Sequence, residues 1–249
     1  MTYCVAALVE DGIVFASDSR TSAGADNIAT FSKMMCWEVV GERVVVVLSS
    51  GNLATTQSVI SLLKMRSRDE NANPMPNGVL GVGKLYEIAD LVGCTLREVV
   101  HRERSVREHG VDIDCSFIVG GQIDHHTPRL FRVYPEGNFI EASKDTNFFQ
   151  IGETKYGKPI IDRVVRYHTP LKEVAKAILV SFDSTMRSNL TVGLPIDLLA
   201  YERDTCRVTL RRRFRNYRDA YFSKISDTWS AGLRRAFAEV PDVPWVEEE

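Results

Sequence analysis

The sequence predicts an α+β fold in which two β-sheets pack face to face and helices cover their outer faces. Strand-like and helix-like segments occur in separate blocks, which favours layered sheets over alternating βαβ units. The 249 residues, 44% of them hydrophobic, are enough to bury one large core. No linker, low-complexity stretch or repeat of about 20 to 50 residues interrupts the pattern. We therefore expect one domain.

The first block contains apolar runs of strand length separated by turn residues. Asp11-Gly12 predicts a hairpin, because both residue types tolerate positive φ. Gly41 predicts a second turn. The strands predicted in this block are Thr2–Val9, Ile13–Asp18, Ala29–Val40 and Glu42–Ser50.

Two predicted helices follow, each with apolar residues at helical spacing. They are Leu53–Arg68 and Leu85–His109, and Asn, Pro and Gly residues between 69 and 83 predict a loop that connects them. The later blocks repeat the order of strands and then helices. Their strands are predicted at Cys115–Gly120, Leu130–Tyr134, Asn138–Ala142, Phe148–Ile151, Ile196–Glu202 and Cys206–Phe214, and their helices at Lys158–Tyr167, Leu171–Arg187 and Asp219–Ala238.

Composition excludes several classes of protein. A formal net charge of -2 disfavours general binding of nucleic acid. No apolar run approaches the roughly 20 residues that cross a bilayer. The N-terminus lacks the pattern of a secretory signal, so we expect a cytoplasmic chain. The five cysteines are scattered without a C-x-x-C pair, which predicts reduced thiols and neither a disulfide framework nor a zinc site.

Short motifs in register resemble those of the proteasome-type family of N-terminal nucleophile hydrolases. Thr2 begins the first strand, and a strand ending in Asp18-Ser19-Arg20 follows it. Lys33 and Ser49-Ser50-Gly51 complete the pattern. Within that family the whole chain looks like the bacterial ancestral-β-subunit group, Anbu. The resemblance implies a four-layer αββα sandwich over residues 2–214, with residues 215–249 forming a C-terminal helix and acidic tail on the same domain.

The resemblance also implies a reactive N-terminus. After removal of Met1, the Thr2 hydroxyl would act as nucleophile and its own α-amine as general base. Lys33 would lower the pKa of that amine, and Asp18 would orient Lys33. The N–H of Gly51 would be the oxyanion donor.

Asp183 resembles the family's second acidic residue, which steadies the amine through a neighbouring hydroxyl. Ser188 is the first candidate for that hydroxyl, and Ser184 and Thr154 remain open. Glu153 stands where relatives usually carry serine, which departs from the family pattern. The same segment, 152–159, imitates a phosphate-binding loop, but Pro159 replaces the residue that would ligate Mg²⁺.

These observations predict a cytoplasmic, bacterial threonine peptidase that assembles from copies of itself into a ring or spiral, acts on unfolded peptides and needs no cofactor or metal. Two alternatives stay open: a small-molecule amide hydrolase of the same fold, and a catalytically silent, self-assembling subunit that binds peptides. The sequence identifies no unfolding partner. We also hypothesise that the basic run Arg211–Arg215 meets the acidic tail Glu247–Glu249 between subunits.

Overall fold

A computed structural model of the chain describes residues 2–22, 28–69, 71, 73–103 and 110–243. Its elements are strands and helices in the predicted blocks. The strands are β1 Tyr3–Val9, β2 Gly12–Asp18, β3 Arg20–Ser22, β4 Ile28–Thr30, β5 Met34–Val39, β6 Arg43–Gly51, β7 Cys115–Ile123, β8 Arg129–Val133, β9 Phe139–Glu141, β10 Phe148–Gly152, β11 Ile196–Glu202 and β12 Val208–Phe214. The helices are α1 Leu53–Met65, α2 Leu85–Arg102, α3 Lys158–Val164, α4 Leu171–Ser188 and α5 Ala220–Ala238.

Two five-stranded antiparallel sheets form the centre of the molecule. The first has the order β10-β1-β2-β11-β12 and the second the order β5-β6-β7-β8-β9. Alternate side chains of β1 and β2, including Cys4, Ala6 and Phe15, pack against Val44, Val46 and other side chains of the second sheet. This inner apolar layer holds the two sheets face to face.

Helices cover the outer face of each sheet. Val5 and Ala7 of β1 lie in one apolar cluster with Ile178 and Phe182 of α4. On the other side, β6 shares an apolar cluster with α1 and α2, which contribute Val59, Leu63, Ile88 and Val92. Strands β1, β2 and β6 are therefore buried on both faces. The predicted four-layer α+β sandwich is confirmed.

The prediction of one strand over Ala29–Val40 is wrong. Residues 28–30 pair with β3 in a separate two-stranded sheet, and residues 34–39 pair with β6. The chain leaves one partner strand and joins another over residues 31–33, where the Phe31 N–H donates to the carbonyl of Ser19 and the Lys33 carbonyl accepts from the N–H of Ser49. This break places Lys33 directly before the first residue of β5.

The predicted hairpin between the first two strands is present, but its turn lies at Glu10 and Asp11, one residue earlier than expected. Gly12 is instead the first residue of β2, with φ +145°. A Cβ there would lie 2.1 Å from the carbonyl oxygen of Tyr201 on β11. The glycine is thus required by the close approach of a neighbouring strand.

Some predictions concern residues that lie outside the described ranges. Helix α2 ends at Arg102, whereas the sequence predicted a helix to His109; residues 104–109 lie outside the described residues, as do Met1 and the tail Glu247–Glu249. In the basic run, Arg212 pairs with Asp219 and Arg213 with Asp197 of the same chain. The contact between subunits and the boundary at residue 214 stay predictions.

No helix in the described part of the chain is both long and apolar enough to cross a membrane.

Candidate active site

An open cleft of about 750 Å³ lies where β1 begins and β6 ends. Thr2, Lys33 and Gly51 all line this cleft. One wall is a single face of helix α1, since its lining residues recur at helical spacing: Leu53, Thr56, Gln57, Ile60, Ser61 and Lys64. A second wall comes from β3 and the break before β5, with Arg20, Thr21, Phe31 and Ser32.

Thr2 is held at the start of β1 by backbone contacts on both of its sides. Its carbonyl oxygen accepts a hydrogen bond of 2.6 Å from the N–H of Glu153, which extends the pairing of β1 with β10 by one residue. The next N–H, from Tyr3, donates to Asp18 Oδ1 at 3.0 Å. Only 8% of Thr2 is exposed. The first strand therefore delivers Thr2 to the cleft in a fixed position.

Asp18 and Lys33 form a buried ion pair beneath the cleft. Lys33 Nζ donates to both carboxylate oxygens of Asp18, at 2.9 and 3.0 Å, and to the carbonyl oxygen of Arg20 at 2.6 Å. Asp18 is completely buried, and Lys33 is exposed only on the side that lines the cleft. All three donors of the ammonium group are accounted for by these acceptors.

The surroundings of Asp18 act on its pKa in opposite directions. Burial raises the pKa of this carboxyl above its ordinary value, because the ionised form loses its hydration. The Lys33 ammonium and the N–H groups of Tyr3 and Gly193 favour the ionised form and oppose that effect. Burying one charged partner without the other would cost free energy at this depth. This cost favours the state in which Asp18 and Lys33 are both charged.

Gly51 ends β6 with φ +114°, a conformation that residues with a side chain rarely adopt. A Cβ at this position would lie 2.3 Å from the carbonyl oxygen of Asp114 on the neighbouring segment. Directly after it, the Asn52 side chain caps α1 by accepting from the N–H of Thr55. The strand end and the helix start are thus fixed next to the cleft.

Asp183 and Ser188 are not among the described residues that line the cleft. Asp183 is buried in α4, and its Oδ2 accepts from Arg187 Nε at 3.1 Å. Ser188 is exposed at the end of α4, and Ser184 is half-buried. The structure therefore brings together four of the six candidates, Thr2, Asp18, Lys33 and Gly51, and places the other two on α4.

Glu153 is a buried carboxylate beside the first strand. Its Oε2 accepts from Asn189 Nδ2 at 2.9 Å and its Oε1 from the N–H of Lys155 at 3.2 Å. These contacts direct the side chain toward the end of α4. Within the described part of the chain, no group of three or more His, Cys, Asp or Glu residues could hold a metal ion.

Neither the face of α1 that lines the cleft nor the hydroxyl of Tyr3 is marked by a motif in the sequence. Tyr3 OH lies 2.9 Å from Ser181 Oγ and accepts from Gln150 Nε2 at 2.6 Å, which ties β1 to α4 and β10. Burial raises the pKa of Tyr3 well above its ordinary range, so the hydroxyl stays protonated. The helical spacing of the lining residues was visible in the sequence, but it did not tell which face of α1 meets the cleft.

No protein-family model matches the chain, and no curated protein matches it. Solved structures do match over nearly the full length. The helical assembly of the Anbu complex from Pseudomonas aeruginosa is 50% identical, with a TM-score of 0.90 and 98% of each chain covered. Anbu, the ancestral β-subunit, from Yersinia bercovieri is 47% identical, with a TM-score of 0.89 over 98% of this chain and all of that one. A Gly-1 mutant of Anbu from Hyphomicrobium sp. strain MC1 is 48% identical, with a TM-score of 0.88 over the same shares.

Proposed function

Because the chain belongs to the Anbu group of proteasome-related proteins, we propose that it is a threonine peptidase whose nucleophile is Thr2 after removal of Met1. The observation that carries the proposal is the buried Asp18–Lys33 pair next to Thr2 at the base of an open cleft. A buried ion pair contributes little to stability compared with apolar packing. Its position beside a potential nucleophile therefore argues for a chemical role.

In the proposed reaction, Thr2 Oγ attacks the carbonyl carbon of the scissile peptide bond. The hydroxyl proton moves to the α-amine of Thr2, directly or through a water molecule. That amine has an ordinary pKa of about 7.7 to 8.0, and the adjacent ammonium of Lys33 lowers the pKa further. The amine is then neutral, and able to accept the proton, near neutral pH.

The tetrahedral intermediate carries a negative oxygen, which the N–H of Gly51 would stabilise. One such donor contributes about 2.7 to 4 kcal/mol in known enzymes. Collapse of the intermediate breaks the C–N bond, and the α-ammonium returns its proton to the leaving amine. The resulting ester on Thr2 is hydrolysed by water, with the α-amine again as base, which releases a carboxylic acid and regenerates the enzyme.

Asp183 and Ser188 enter the proposal as groups that steady the α-amine from the α4 side. Arg187 Nε donates to the Asp183 carboxylate in the last turns of α4, and Asn189, the residue after Ser188, donates to Glu153, whose N–H binds the Thr2 carbonyl. Ser188→Ala should lower kcat, whereas a loss of kcat in Ser184→Ala with none in Ser188→Ala would assign the hydroxyl to Ser184 instead. Hydrolysis that is unaffected by both changes and by Thr154→Ala would remove the hydroxyl from the proposal.

The dimensions of the cleft favour peptides over small amides. Leu53 and Lys64 both line it, and eleven residues of α-helix span roughly 16 Å. An extended peptide covers that distance with about five residues. We also propose that the protein assembles from copies of itself, in a ring or spiral, because the relative from Pseudomonas aeruginosa is a helical assembly.

Replacement of the nucleophile tests the proposal. Thr2→Ala removes the hydroxyl but keeps the fold, so hydrolysis of a broad peptide library should disappear while the circular dichroism spectrum is unchanged. Thr2→Ser keeps hydroxyl and amine and should retain part of the activity. Mass spectrometry of the purified protein should find Thr2 as the first residue. Met1 on essentially all chains, together with peptide binding and no turnover, would favour the silent subunit.

A further inference from the structure

The charges that line the cleft are of one sign. Among the described residues, its lining contains the cations Arg20, Lys33 and Lys64 and no carboxylate. Lys33 already has an acidic partner, Asp18, beneath it. Arg20 and Lys64 remain as cations without an acidic partner in the described structure, one on each wall.

Arg20 is held in place without being neutralised. Its Nη1 donates to the carbonyl oxygen of Leu190 at 2.9 Å, and its guanidinium plane lies against the backbone of Gly193, where a Cβ would be 2.9 Å away. A neutral acceptor on one nitrogen leaves the other donors of the guanidinium for a ligand. Its own carbonyl oxygen is bound by Lys33 Nζ, so Arg20 lies close to the reacting end of the cleft.

Lys64 occupies the far end of the α1 wall. It is exposed in the last turn of the helix, roughly 16 Å along the axis from Leu53. The α1 wall also carries the apolar side chains Leu53 and Ile60, so a peptide bound along it loses part of its hydration. A carboxylate near either cation is therefore favoured, and an ammonium group is repelled.

We propose that the cleft selects extended peptides rich in acidic side chains, and that Arg20 and Lys64 are the residues that determine this specificity. The inference rests on the proposed function, because it takes the cleft as the site that holds the substrate. Arg20 would contact a carboxylate near the bond to be cut, and Lys64 one at the far end of the α1 wall, about five extended residues from the end at Leu53.

Binding to a variant that cannot hydrolyse the peptide tests the inference separately from catalysis. The probes are two fluorescein-labelled peptides of equal length, identical except that each Glu of one is Lys in the other. Fluorescence anisotropy with the full-length Thr2→Ala protein measures the dissociation constant of each peptide. That of the acidic peptide should be about three- to tenfold lower, which is the effect expected of one or two exposed ion pairs. The preference should decrease as the salt concentration rises from about 0.05 M to about 0.5 M.

Charge reversal identifies the residue responsible. In the same background, Lys64→Glu should reduce the preference for the acidic peptide about three- to tenfold. Lys172→Glu, an equal change of charge on the exposed side of α4 and outside the cleft lining, is the matched control and should leave the preference unchanged. Lys64→Gln removes the charge without placing an acid at the helix end, and Arg20→Gln tests the second cation.

Equal affinities for the two peptides, binding of neither, or the same effect from Lys172→Glu as from Lys64→Glu would each overturn the inference. The two proposals fail differently. A preference for the acidic peptide without turnover by the unaltered protein would sink the peptidase mechanism but not the specificity. Turnover of both peptides at equal kcat/KM would contradict the proposed specificity but not the peptidase mechanism.

Discussion

The side chain of Lys33 ends between two buried acceptors, the carboxylate of Asp18 and the carbonyl of Arg20. At this depth neither partner of the ion pair can be hydrated in place of the other. The same arrangement that would tune the amine of Thr2 therefore makes each partner depend on the other for stability.

Removal of one partner should cost more than removal of both. Lys33→Met leaves Asp18 buried and unpaired, and we expect a loss of about 3 to 5 kcal/mol in the free energy of unfolding. The double variant Asp18→Asn with Lys33→Met should lose less than the sum of the single variants, since no charge is left unpaired. Urea unfolding at a fixed protein concentration measures this, and strict additivity would argue against a coupled pair.

Thiol reactivity should follow burial. Burial raises the pKa of the Cys115 thiol to about 12 and that of Cys4 further above the ordinary value, whereas Cys94 is exposed. A raised pKa lowers the thiolate fraction at any given pH, and the thiolate is the reactive form. At mildly alkaline pH iodoacetamide should modify Cys94 first and leave Cys4 and Cys115 intact, as peptide mass spectrometry can determine.

Unfolding in urea provides the control for this experiment, because all thiols should then react at similar rates. Modification of Cys4 or Cys115 in the folded protein as fast as that of Cys94 would contradict the burial of β1 and β7.

Among the secondary-structure elements, β6 and α1 meet at a junction that shapes the cleft. Gly51 ends the strand at a positive φ, Asn52 caps the helix, and the face of α1 that follows becomes one wall. The break between β4 and β5 supplies Lys33 and Phe31 to the second wall. The position of the cleft therefore depends on where these elements begin and end, and the interior of α1 supplies its wall.

Gly51→Ala should damage this junction. The added Cβ meets the backbone of Asp114 and the residue keeps an unfavourable φ, so we expect a loss of about 3 kcal/mol or more in stability and a fall in kcat. Gly41→Ala is the matched control: its φ is +82°, but a Cβ there would meet nothing within 4 Å. Backbone strain alone should cost it about 1 to 2 kcal/mol. If thermal or urea unfolding showed equal losses of stability in the two variants, the close approach at Gly51 would not contribute to the loss.

In the molecule as a whole, three apolar layers separate four layers of structure, and the site lies at one end of the sandwich. The outer helices are covered unequally. Helix α5 buries only Phe222 completely, and it exposes 51% of Leu233 and 79% of Phe237. Large apolar side chains at a surface are often covered by a partner, which accords with the self-assembly that we propose.

Light scattering tests assembly. The mass should exceed that of one chain, and the midpoint of thermal unfolding should rise with protein concentration, because association stabilises the folded form. A single chain at all concentrations would contradict the proposed assembly. Phe237→Asp should shift the mass toward a single chain if α5 contributes to the contact, and Lys172→Glu on α4 serves as the exposed control.

The resemblance to proteasome-type hydrolases, and no periodicity, predicted Thr2, Asp18 and Lys33 as site residues. The amino-acid pattern alone predicted the blocks of strands and helices and the α+β class. Local patterns suffice for these, because apolar periodicity and turn residues act over a few neighbours. The same local signals failed over Ala29–Val40, where a continuous strand-like run divides between two sheets. The choice of partner strand is made by contacts far away in the sequence.

How the site is built depends on the three-dimensional structure. It determined that Lys33 reaches Asp18, that one face of α1 forms a wall, and that Arg20 and Lys64 face a cleft without carboxylates among the described residues. It also placed Asp183 and Ser188 outside the lining of the cleft. Each of these facts depends on how layers pack across the sandwich, and packing joins residues that no local pattern in the sequence relates.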